Sequence, residues 1–219
     1  MTEIISDFEL NIHKSIDDML EDVDILGCFF HLAKAFQNKV DRNGMKLEYE
    51  NNPEFHKFVK QAIALSSLPL EDLQLGFNSL KDNFRFEDPK VEAFKEDFLN
   101  YVDKYWINGC IPPFIWSTWG RLEDHTNNNQ EGYNSKMNRE LKQQHPSPGI
   151  LLCFLKDQIT LAEHKVAEAV VANPAPRDQV AQRGQAKKRH QLKENYVKAK
   201  QMRGADKPKL VGEFLSRMG

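Results

Sequence analysis

The chain has 219 residues, with 30 Lys and Arg against 32 Asp and Glu, a formal net charge of −2. Its 40% hydrophobic content suffices for one large domain or two small ones, while the lack of an apolar window of about eighteen residues excludes a membrane-spanning helix. Cys28, Cys110 and Cys153 are odd in number and widely spaced, which argues against a disulfide framework and for a reducing compartment. No apolar stretch follows Met1, so no signal peptide is expected. The charge is unevenly spread. Residues 174–219 hold 12 basic and 4 acidic residues, a net of +8, and the first 173 hold 18 and 28, a net of −10. A basic segment on an acidic body is a sequence-level hint of a polyanionic partner.

Residues 3–6 read Glu-Ile-Ile-Ser, a short β-prone run. Phe8, Ile12, Ile16, Met19 and Leu20 follow at helical spacing. This predicts a strand ending at Ser6 and a helix starting near Asp7, with Ser6 and Glu9 as a capping box. Asp7 is then either a first-turn acid favoured by the helix dipole or a carboxylate at the carboxyl end of a strand, where open α/β sheets place ligands. Residues 23–30 form a second apolar run, interrupted by Asp24, with Gly27 marking a turn or a close approach. Leu32, Ala33, Phe36 and Val40 continue as a helix. Cys28 and His31 make a Cys-x-x-His pair at that junction. Two such residues are half of a zinc site. His125 and His145 are distant candidates to complete it, and a packed Cys beside a polar His is the alternative reading.

Residues 43–113 read as a helical region. Phe55, Phe58, Val59, Ala62, Ile63 and Leu65 mark one helix. Pro69 opens the next, with Leu73, Phe77 and Leu80. Pro89 opens a third, with Val91, Phe94, Phe98, Tyr101, Val102 and Tyr105 along one face as core. Residues 108–113 are a breaker, and residues 114–120 a short extended aromatic segment. Trp116 and Trp119 are expected to pack that junction, with base stacking as the alternative. Thr126 and three asparagines then cap a helix over 130–144, which places Glu131 in its first turn. Residues 150–166 are a strongly apolar helix expected to be buried. Residues 173–176, Asn-Pro-Ala-Pro, signal a linker. A polar, basic helix follows over 185–202, around Lys187-Lys188-Arg189, and residues 210–215 are an apolar piece suited to docking on the body.

Three pieces in this order carry a resemblance: Ile-Ile-Ser-Asp7-Phe-Glu, then Gly27-Cys28-Phe-Phe-His31, then Thr126-Asn-Asn-x-x-Glu131-Gly132 after a helical insertion. Together with the Leu68-Pro69 helix and the Pro112-Pro113-x-x-Trp116 segment, they resemble the catalytic domain of Mutator-like element (MULE) transposases over roughly residues 1–166. The resemblance implies a ribonuclease-H-like α/β core with an Asp, Asp, Glu metal triad. Asp7 matches the second Asp, Glu131 matches the Glu, and Cys28 with His31 match the family's Cys-x-x-His signature. It implies DNA strand cleavage and joining with two Mg²⁺ (or Mn²⁺) ions about 3.5–4 Å apart, DNA as partner, a homo-oligomer as a further option, and a nuclear location.

The expected fold is thus mainly α with a few short strands, a truncated ribonuclease-H-like core with a helical insertion. Residues 1–42 would be part of that core, 43–113 the insertion, 114–170 the remaining core and 174–219 a basic tail. Only six residues precede Asp7, and Glu3 is the sole acid among them, so the first Asp has no counterpart. The chain reads as the carboxyl-terminal part of such a domain, inactive alone. The alternative is a non-catalytic module that binds DNA or a protein. If the triad reading holds, Asp7 and Glu131 should lie within about 4–8 Å of each other, with Cys28 and His31 at the same end of the fold.

Overall fold

Two short apolar runs pair as parallel strands, β1 (Thr2–Ser6) and β2 (Val23–Gly27), in the register Thr2↔Val23 to Ser6↔Gly27. Helix α1 (Leu10–Met19) connects them, which makes a βαβ unit. The computed structural model describes residues 2–121, 128–142, 145–172, 179–202, 204 and 206–219. It is mainly helical, with 75% of the chain in helix, and β1 and β2 form the sheet among the described residues. A two-stranded βαβ unit is common to many α/β folds and does not by itself define a ribonuclease-H-like one.

Helix α1 starts three residues later than its periodicity predicts. Its N-cap is Glu9, which makes no side-chain cap, and its first turn holds no acid. The Ser6–Glu9 capping box does not form, because Ser6 Oγ donates to the Asp7 carbonyl at 3.0 Å instead. Asp7 is therefore a strand-end residue rather than a first-turn acid. Ile12, Met19 and Leu20 stay exposed, and His13 is the buried residue of the helix.

Helix α2 (Phe29–Arg42) follows β2 directly, with Cys28 as its N-cap, so the strand ends three residues before its apolar run does. Next come α3 (Lys46–Asn51), α4 (Pro53–Ala64), α5 (Leu73–Asn83) and α6 (Pro89–Tyr101). Two of these starts repeat one device, an Asx cap followed by proline. Asn52 accepts from the Glu54 and Phe55 amides at 3.1 Å, and Asp88 accepts from Lys90 N at 2.8 Å. Proline at the first helical position forfeits only an amide that would be unpaired anyway. The apolar faces of α2, α4 and α6 meet in an aromatic core in which Phe36, Phe55, Phe58 and Phe98 are almost wholly buried. Their rings contact edge to face, as with Phe36 on Phe98 at 5.6 Å and 90°. Such geometry aligns positive ring edges with negative faces.

A π-helical turn, Val102–Ile107, ends α6 and turns Trp106 inward. Residues Pro113–Trp116 then form a single helical turn, α7, where the sequence suggests an extended segment. Pro113 at its first position accounts for the difference. Trp116 is buried, and its indole donates to the Trp106 carbonyl at 2.8 Å.

Helices α8 (Asn128–Leu141), α9 (Pro148–Ala172), α10 (Gln179–Gln201) and α11 (Lys207–Met218) complete the chain. The chain divides into two compact units. The first is Met1–Asn127 with Ala186–Gly219, and the second is Asn128–Gln185. In the first, α11 buries Val211, Phe214 and Leu215 in the same core as α4 and α5. The basic segment from residue 186 is thus built into the body. In the second, α9 leaves Leu152, Ile159 and Val166 between 59% and 64% exposed, against the expectation of burial. Its apolar residues encircle the helix rather than forming a stripe. Its described partner α8 reaches it through polar side chains, Lys136 donating to Gln158 Oε1 at 2.9 Å.

Candidate functional site

The carboxyl ends of β1 and β2 bring Asp7 and Cys28 side by side. The Cys28 amide donates to the Ser6 carbonyl at 2.8 Å, extending the parallel ladder by one bond. Asp7 is half-buried. Its carbonyl accepts from His13 Nε2 at 2.7 Å, and its Oδ1 accepts from the Glu9 amide at 3.2 Å. Cys28 is fully buried as the α2 N-cap, and His31 sits one turn on, half-buried, with its ring edge-on to Phe30 at 5.7 Å. Asp7, Cys28 and His31 therefore share one end of the sheet. Glu131 lies in the first turn of α8, in the second unit, and its side chain falls outside the described residues, as do Thr126 and His125.

The donor set at the strand ends does not make a metal centre among the described residues. No three His, Cys, Asp or Glu side chains converge on a metal-sized point there. Asp7 supplies a hard oxygen suited to Mg²⁺, whereas Cys28 is a soft donor enclosed in the core. By the resemblance, Asp7 and Glu131 are the residues that would hold such ions.

Cations border this edge instead. Gly27 is where the first of them, Arg121, attaches. A Cβ there would meet the Phe8 ring at 2.2 Å and the Ile115 carbonyl at 3.2 Å, so only glycine admits the close approach of residue 115. Arg121 bridges the gap, with Nη1 donating to the Gly27 carbonyl at 2.9 Å and Nη2 to the Ile115 carbonyl at 2.7 Å. Burial pushes its guanidinium down from the usual value, and the fields of Glu3 and Cys28 oppose that. It stays charged, as guanidinium does in proteins.

Helix α10 adds the rest. The Arg189 guanidinium lies over the Phe29 ring at 5.7 Å. Lys193 donates to the Thr118 carbonyl at 2.5 Å and stands over the Trp119 ring at 5.7 Å. Burial, then repulsion by Arg121 and Arg189, lowers its ammonium to about 8. Among the described residues, Arg121, Arg189 and Lys193 form no ion pair. Beside them an open cavity of about 430 Å³ runs between Trp119–Arg121 and the α10 face that carries Lys193, Val197 and Gln201.

A buried polar latch fixes α10 in place. Asp72, 4% exposed, accepts from the Tyr196 hydroxyl at 2.8 Å and from Lys200 Nζ at 2.5 Å. Burial and then the Asp72 bond hold the Tyr196 hydroxyl well above its usual value. Neither family models, nor curated proteins, nor solved structures give a match to this chain. The sequence reading singles out Asp7, Cys28 and His31 but misses Arg121 and Lys193. The one signal for Lys193 is the pair Leu192 and Tyr196, four apart on an otherwise polar helix, which gives α10 an inner face.

Proposed function

We propose that the chain is a DNA-binding protein related to MULE-type transposases, which holds duplex DNA at the carboxyl end of β1 and β2 and does not cut it alone. The observation that carries this is a set of cations without an ion pair among the described residues, Arg121, Arg189 and Lys193, gathered where Asp7, Cys28 and His31 also lie. A phosphate backbone is the polyanion such a set suits, because each phosphate neutralised releases condensed counterions. The βαβ unit with a carboxylate at its strand end, the helical stretch after it and a helix start bearing Glu131 follow the order that the resemblance implies. Cleavage by the chain alone is left out because the resemblance supplies two of the three carboxylates, Asp7 and Glu131, and misplacing a reacting group by about 1 Å can cost on the order of a hundredfold.

The test is a salt titration of duplex binding by the full chain, with a strand-cleavage assay in Mg²⁺ or Mn²⁺ alongside. Arg189 is exposed, so Arg189→Ala is expected to fold. It should flatten the slope of log K against log salt by about 0.9. An unchanged slope, or no duplex binding at low salt, overturns the reading. Metal-dependent cleavage that Asp7→Ala with Glu131→Ala abolishes would instead make the chain a competent nuclease.

A further inference from the structure

The cavity beside Trp119 has a composition that neither strand-end chemistry nor a duplex backbone requires. One wall is rigid. The Thr118 amide donates to the Ser66 carbonyl at 2.7 Å, its hydroxyl to the same oxygen at 3.1 Å, and Ser67 Oγ lies 3.2 Å from that hydroxyl. These bonds fix the residue just before Trp119. The indole is then anchored edge to face on Tyr196 at 6.0 Å and on Phe214 at 6.3 Å. Gly120, with φ of +83°, turns the chain so that Arg121 reaches back to Gly27. A left-handed φ is open to glycine at little cost.

The opposite wall is one face of α10. Lys193, Val197 and Gln201 recur every four residues and so line up along it. Lys198 adds a further cation, and the carboxylate of Glu194 lies 3.2 Å from His190. The lining thus joins an aromatic ring and an aliphatic side chain to a carboxamide and three cations. Arg121 spends two of its N–H groups on Gly27 and Ile115, and a guanidinium has five. Donors therefore remain for a ligand.

Each half of this lining excludes a simpler occupant. Inorganic phosphate has no use for Trp119 and Val197 and fills only a small part of about 430 Å³. A purely apolar ligand would make no use of Lys193, Arg121 and Lys198, which form no ion pair among the described residues. A DNA helix is too wide, since ligand cavities of roughly 300–1,000 Å³ hold single small molecules. What fits is a planar ring with an anionic group a few bonds away.

We propose that this cavity binds one nucleotide, its base against Trp119 and Val197 and its phosphate on Lys193, Arg121 and Lys198. The ligand is a nucleoside monophosphate unit, whether free or at one position of a single strand. Base–aromatic stacking of this kind is worth about 1–3 kcal/mol per base, and a phosphate would supply the counter-charge that Lys193 lacks. The site shares Arg121 and Lys193 with the cations assigned to duplex binding, and Trp119, Val197 and Lys198 are its own.

The experiment titrates the full chain with adenosine 5′-monophosphate, adenosine, inorganic phosphate and a single-stranded deoxyadenosine oligomer, reading tryptophan fluorescence and calorimetry. The monophosphate should bind at least tenfold tighter than adenosine or phosphate alone. Lys193→Gln should weaken it about tenfold, and Trp119→Leu should abolish the fluorescence change. If Trp119→Leu fails to fold, Lys193→Gln with Lys198→Gln carries the test. Binding of the oligomer in proportion to its length assigns the cavity to a strand, and binding of the monophosphate alone assigns it to a free nucleotide. No preference for the monophosphate over its two parts, or equal affinity in the Lys193→Gln chain, overturns the proposal even if duplex binding is intact.

Discussion

Replacing Asp72 tests how the basic helix is held to the body. Its carboxylate is 4% exposed and accepts from Tyr196 and Lys200, residues 124 and 128 positions away in sequence. Asp72→Ala removes the common acceptor and leaves a buried phenolic hydroxyl without its partner. Lys200 is 23% exposed and keeps a bond to Glu71 at 3.1 Å, so it loses less. Breaking a fully buried charge pair from one side costs about 3–5 kcal/mol, and the partial exposure of Lys200 puts this change at the lower end of that range. Tyr196→Phe keeps the ring against Phe214 at 4.8 Å and removes only the hydroxyl. A hydrogen bond to a charged group is worth about 1.5–3 kcal/mol. The double variant should therefore cost less than the sum of the two, because both act on one bond. Urea unfolding gives the energies, and hydrogen exchange on residues 187–201 shows whether the helix loosens before the core does. A cost below about 1 kcal/mol for Asp72→Ala, with α10 amides protected as before, would refute the view that this latch seats the helix.

Nucleotide affinity should fall as pH rises through about 8, the value to which burial and the neighbouring guanidinium groups lower Lys193. The sign follows because the charged ammonium binds phosphate, while Arg121 and Arg189 stay charged throughout; His190 and Glu194 also line the cavity, and calorimetry between pH 6.5 and about 9.5 checks it. Gly27→Ala should destabilise the chain by about 1–3 kcal/mol, since the new methyl meets the Phe8 ring, itself packed on Trp106 at 4.9 Å, and the urea midpoint reads this directly.

The helical part of the fold was legible because its signals are local. Apolar spacing places α4, and apolar spacing with Pro89 at its start places α6, without any distant contact. The aromatic residues assigned to the core, Phe55, Phe58 and Phe98, are buried. The errors arose where a local signal met a competing one. Ser6 caps nothing, because its hydroxyl takes the adjacent carbonyl. Residues 150–166 look like core by hydropathy alone, yet Leu152, Ile159 and Val166 stay exposed while Phe154 is buried. The Cys28-x-x-His31 spacing correctly marked a strand-to-helix junction, since β2 must end before an N-cap can form.

The cation cluster could not be read in the same way, because no segment of the chain contains it. Arg121 meets Gly27 across 94 residues and Lys193 meets Thr118 across 75, and each contact depends on a third. Gly27 must lack a side chain for residue 115 to approach, and Thr118 must be clamped by Ser66 before its carbonyl can face α10. A run such as Lys187-Lys188-Arg189 announces charge but not its destination. Lys187 and Lys188 are exposed, whereas Lys193, a single lysine in a less basic stretch, is the one held against the protein. Lys193 thus sits where the helix turns its few apolar residues inward, around Leu192 and Tyr196, and not at its most basic point. Seating such a helix against the body brings Lys193 near enough to Arg121 for the two to repel. That repulsion is tolerated because the Asp72 latch and the Tyr196–Phe214 contact hold the helix from the other side. An anion at Trp119 would relieve it, so on this structure ligand affinity and the stability of the α10 seat are coupled through the same few residues.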